Sequence, residues 1–137
     1  MESPLGREIA MHAPVAETID RVTEALGREG FGILTRVDVH TTLRAKLGKE
    51  FREYVILGAC HPALALRALE AHAEVGLIMP CNVTVEATGE GRSVVRLGDP
   101  DALMSVGHLG ANAEVRKIAR EVAQRVDRVE ESLRSGA

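Results

Sequence analysis

The two cysteines and the residues around them are the part of this chain best equipped for chemistry. Cys60 lies in "LGACHP" (57–62) and Cys81 in "LIMPCNV" (77–83), each with a proline close by. A thiolate is both a nucleophile and a soft metal ligand. The imidazole next door, His61, is a base or a further ligand. His40, just after an earlier apolar stretch, is an outside candidate for the same site. The candidate ligand-binding set is therefore Cys60, His61, Cys81 and His40. The sequence specifies no catalytic residue, metal or cofactor.

Pro62 suits the first position of a helix, which makes His61 its N-cap and puts Cys60 at a strand-to-helix corner. Unpaired N–H groups and the positive end of the helix dipole favour a thiolate there. Pro80 cannot donate to a sheet ladder, so Cys81 is expected at a bulge or a strand entrance. Local sequence leaves open whether the two sulfurs meet. The competing reading is plain packing, because free cysteine is among the most buried residue types and behaves as a small hydrophobe. A site requires Cys60 to be partly accessible beside a pocket.

Familiar motifs are missing. The chain has no G-x-x-x-x-G-K-[ST], no H-E-x-x-H and no G-x-S-x-G, and its glycine-rich "GEGRSVVRLG" runs from a hairpin turn into a strand instead of opening a helix. The 21-residue separation of the cysteines encodes neither a C-x-x-C zinc knuckle nor a thioredoxin-type pair. Asp99 and Asp101 flank Pro100, which is turn chemistry. Glu130 and Glu131 point apart on a helix and read as a solvated face. His12, His72 and His108 are scattered and read as surface or capping residues.

Composition narrows the function classes. The formal net charge is −3 and aromatic residues are 2% of the chain. There is no basic face for a polyanion and no aromatic platform on which bases could stack, so nucleic acid is not expected as a partner. No run of 18 apolar residues exists, so no membrane span is expected. "MESPLGREIAMHAPV" holds no apolar run of signal-peptide length, which predicts reduced thiols in the cytoplasm. The length of 137 residues suits one domain, 1–137, with its own core.

The elements that must position the cysteines follow from periodicity. A short strand (7–11) precedes a helix over 14–27, with Val15, Ile19, Val22 and Leu26 in one stripe. The stretch 31–39 alternates, with Phe31, Ile33, Thr35, Val37 and Val39 on one face and Leu34, Arg36 and Asp38 on the other, a strand solvated on one side. A short helix over 41–48 with a threonine cap would turn Leu43 and Leu47 inward. The nearly continuous run 53–59 predicts a central strand, and a helix follows from Pro62 to Ala73. "VGLIMP" leads into a strand (82–87), a "TGEG" turn and a return strand (92–98). Residues 99–112 read as a packed loop or a single helical turn. Val115, Ile118, Val122, Val126, Val129 and Leu133 stripe a last helix over 112–133. The hairpin and the solvated strand faces predict a two-layer α+β fold, a largely antiparallel sheet with helices packed on one face.

"GFGILTRVDVHTTLRAKLG", "YVILGACHP", "GLIMPCNVTVE" and the later "GDP" turn, in that order over residues 12–135, resemble the small bacterial and archaeal family catalogued as domain of unknown function 302. The resemblance implies a compact α+β homodimer of no established activity. Parts of that family carry an Asn-Pro type segment where this chain has Cys60-His61-Pro62, so the resemblance assigns the thiols no chemistry. The apolar runs "YVILGA" and "VGLIMP" suit a dimer face and equally suit a core.

Three functions are therefore in play. The first is a dimeric small-molecule or metal-binding domain without catalysis. The second is a thiol-dependent enzyme or sulfur carrier using Cys60. The third is a structural or protein-interaction module.

Overall fold

The structure is a computed structural model and describes residues 5–136. Residues 1–4 and 137 of the expected 1–137 domain lie outside the described residues. Five strands form one sheet: β1 (Gly6–Met11), β2 (Gly32–Asp38), β3 (Tyr54–Cys60), β4 (Cys81–Gly89) and β5 (Arg92–Gly98). Their order is β1-β5-β4-β3-β2, and every neighbouring pair is antiparallel. The helices are α1 (Val15–Arg28), α2 (Val39–Leu47), α3 (Pro62–Ala71), α4 (Pro100–Leu103) and α5 (Ala113–Ser135). The α+β fold with a largely antiparallel sheet is the one periodicity predicts.

Alternation decides which face of the sheet is covered. Val55, Leu57, Val85, Val95 and Leu97 occupy every second position of the three central strands and are all buried. Helix α1 turns Val15, Ile19, Val22 and Leu26 toward the core, and α5 turns in the whole predicted stripe from Val115 to Leu133. Helices α1 and α3 both pack against α5. The core is aliphatic apart from Phe31, Met11 and Met104. Among the described residues no helix is long and apolar enough to cross a membrane.

The opposite face is polar. Glu86 on β4 is buried there between the guanidinium groups of Arg52 and Arg96, and Arg96 also reaches Glu8 on β1 at 2.9 Å. The Thr84 hydroxyl beside this ladder is buried and has no hydrogen-bond partner among the described residues.

Three stretches depart from expectation. A bulge between Ile33 and Thr35 breaks the alternation of β2, so Ile33 opposes core residue Ala59 while Thr35 and Val37 oppose Gly58 and Ile56 on the other face. The strand is the edge of the sheet and is mostly exposed on both faces. Helix α2 starts at Val39, takes in His40, and buries no residue; Leu43 is half-buried and Leu47 fully exposed, so the expected inward face is not formed. The helix predicted to reach Ala73 ends at Ala71, because His72 is extended and caps a 3₁₀ turn over Ala73–Leu77. Residues 99–112 contain α4, capped by the Asp99 carboxylate on the Asp101 N–H at 3.0 Å, and a 3₁₀ turn over Gly107–Ala111. Met104 and Leu109 from this stretch are buried.

Candidate functional site

Strand β3 ends at Cys60 and strand β4 begins at Cys81. The antiparallel register pairs Ala59 with Cys81, which leaves Cys60 one residue past the partner of Cys81 at the same end of the sheet. Two residues that the sequence separates are thus brought together by the sheet. Both are half-buried free thiols.

They line a cavity of about 30 Å³ between the sheet and the helices, together with Met79 and Met104 and with Leu64 and Ile118 as aliphatic walls. That volume admits about one or two water-sized particles. It is an order of magnitude below the roughly 300 Å³ of the smallest pockets that enclose a drug-sized ligand.

Two glycines shape the rim. At Gly58 a Cβ would lie 2.1 Å from Thr35 Oγ1 and 2.7 Å from Pro80 Cγ. The missing side chain lets Pro80 lie against β3 and so sets the path of Met79–Pro80–Cys81, whose Met79–Pro80 peptide is cis. At Gly30 the backbone φ is +88°, and a Cβ would come within 2.8 Å of the His61 ring. Only glycine both adopts that φ cheaply and leaves the ring its seat.

His61 is the N-cap of α3, as Pro62 predicts. Its Nδ1 accepts the Leu64 N–H at 3.3 Å, and its ring stands edge-on to Phe31 with centroids 5.7 Å apart. The imidazole borders the cavity with one nitrogen already engaged. His40 does not line this cavity. Its Nδ1 accepts the Tyr54 N–H at 3.0 Å, at the opposite end of β3 from Cys60.

The electrostatics reverse one expectation. Burial pushes the Cys60 thiol up from its ordinary value, away from the thiolate expected beside a helix N-terminus. The Cys60 side chain belongs to the last residue of a strand, and the cap position is filled by His61. Cys81 is pushed up as well, first by burial and then by the charge that Cys60 would carry as a thiolate. With both pushed up from the ordinary cysteine value, both are protonated at neutral pH.

Among the described residues no three His, Cys, Asp or Glu side chains converge to hold a metal ion. What the cavity offers instead is sulfur. Met79 and Met104 were not legible as site residues. Met79 sits two positions from Cys81 in "LIMPC", which is a local signal, but Met104 arrives from a distant stretch with no motif around it.

The comparisons with known proteins agree with this fold. A family model described as "Domain of unknown function DUF302" matches residues 7–133, and the chain belongs to that family. Among solved structures it is similar to the crystal structure of an uncharacterized conserved DUF302 protein from Bacillus stearothermophilus, at 27% identity and a TM-score of 0.83, covering 96% of this chain and 100% of that one. A comparison with curated proteins finds no match.

Proposed function

We propose that this chain is a binding domain for a very small ligand, a metal ion or a molecule of similar size, seated between Cys60 and Cys81, and that it works as a homodimer with its thiols reduced. One observation carries the reading: two cysteines 21 positions apart line the same small cavity. The alternative of a thiol enzyme is the weaker one, because a nucleophilic cysteine needs a depressed pKa and these two are shifted the other way. The dimer is supported by the exposed apolar side chains of Leu34, Val37, Leu47 and Phe51 along the β2–α2 edge.

Alkylation with iodoacetamide, followed from pH 6 to pH 10 on the reduced protein, is the test. Both thiols are expected to react slowly at neutral pH and to speed up only above the ordinary cysteine range. Fast labelling of Cys60 well below pH 8 would hand the site to thiol catalysis and end this reading.

A further inference from the structure

Four of the six sulfur-bearing residues of this chain, Cys60, Cys81, Met79 and Met104, face one cavity of about 30 Å³. They come from the end of β3, the segment entering β4, and the stretch after α4. Methionine fills irregular gaps in many cores, which accounts for one such contact. It does not account for two thioethers and two thiols around a space the size of an ion.

The donor set discriminates among ions. Calcium and magnesium require a shell of oxygens, and among the described residues no acidic side chain lines the cavity. Structural zinc takes four thiolate, imidazole or carboxylate ligands, whereas only two thiols are present here and His61 Nδ1 is engaged by the Leu64 N–H. Thiolates and thioethers are the ligands that select soft ions such as Cu(I). We infer that the cavity is a site for a soft monovalent cation of the Cu(I) class, held by the Cys60 and Cys81 sulfurs with the Met79 and Met104 thioethers around it. This assignment rests on the ligand-binding reading of the same cavity and gives its ligand a chemical class.

The proton balance follows. Both thiols are protonated when the cavity is empty, so binding one ion releases two protons to solvent and leaves a complex of two thiolates and one cation with net charge −1. Cys81 is the more deeply set of the two thiols and Cys60 the more open, so the ion would enter past Cys60.

The experiment is an anaerobic titration of the full chain with Cu(I) against a chromophoric Cu(I) chelator. One ion per chain is expected, with affinity falling about 100-fold for each pH unit below neutrality, as a two-proton exchange requires. Cys60→Ser and Cys81→Ser should each lose at least 100-fold, and Met79→Leu and Met104→Leu, which keep the packing volume, about tenfold each. X-ray absorption of the wild-type complex should show a sulfur-only first shell, a readout that needs no variant to fold. Nitrogen or oxygen in that shell, a tighter hold on Zn(II) than on Cu(I), or Cu(I) affinity unchanged in the serine variants would overturn the assignment. If Cu(I) fails while both thiols still alkylate slowly at neutral pH, the ion is wrong and the binding reading stands. If the thiols alkylate fast, the binding reading falls with it.

Discussion

At the scale of single residues, position in the sheet outweighs position at a helix end. "CHP" predicts a capped helix start, and His61 and Pro62 take those roles. The thiolate expected at Cys60 fails because desolvation is set by what packs around a group, and that information lies in Met79, Met104 and α5, far along the chain. Glu86 makes the same point from the other side. Burial alone would raise its pKa, but hydrogen bonds and charge from Arg52 and Arg96 outweigh it and hold the carboxyl below its ordinary value of 4.5. A depressed folded-state pKa contributes stability above the unfolded value and loses it as pH falls through the folded one. Glu86→Gln is therefore expected to destabilise the protein by about 1–3 kcal/mol at pH 7, with the gap to wild type closing below pH 4.5. Urea midpoints of both proteins across that range check it, and a gap that does not depend on pH would refute it. Gly58→Ala is expected to cost about 1–3 kcal/mol, since its methyl must displace Thr35 or the Pro80 ring. Thermal unfolding reads this directly, and an unchanged midpoint would mean that Pro80 does not need the space.

At the scale of elements, long apolar stripes were the most legible feature. Helices α1 and α5 bury the residues their periodicity names, because a 3.6-residue repeat leaves one face to cover. Charges on α5 were readable in number but not in destination. They tie the helix to its neighbours: Glu121 to Arg67 of α3 at 2.8 Å, Arg116 to Asp101 of α4 at 2.8 Å, and Asp127 with Glu130 to Arg7 of β1. Short elements were less legible. The bulge in β2 has no sequence signature, yet it moves Thr35 and Val37 off the face that Ile33 shares with the core. In α2 the spacing of Leu43 and Leu47 suggests an inward face, but the helix, although it touches β3, buries none of its residues.

At the scale of the whole molecule, the run "YVILGA" puts Val55, Leu57 and Ala59 into the core. The proposed dimer would instead use the exposed β2–α2 edge, where Leu34, Val37 and Leu47 are uncovered. A helix of nine residues that buries nothing is too short to be stable in water by its own propensity. Light scattering on the wild type is expected to give twice the 14.7 kDa chain mass at micromolar concentration, and Leu47→Glu or Val37→Glu to return it to 14.7 kDa. A wild-type mass of 14.7 kDa would exclude the dimer. The strand order carries a different consequence, for synthesis. Strand β1 is made early, yet its sheet partner is β5, whose last residue is Gly98. Until β5 has left the ribosome, Ile9, Met11 and the row of amides beside them have no sheet to join. The nascent chain must therefore carry an unpaired strand until β5 is made, and a product that stalls or ends before β5 keeps it.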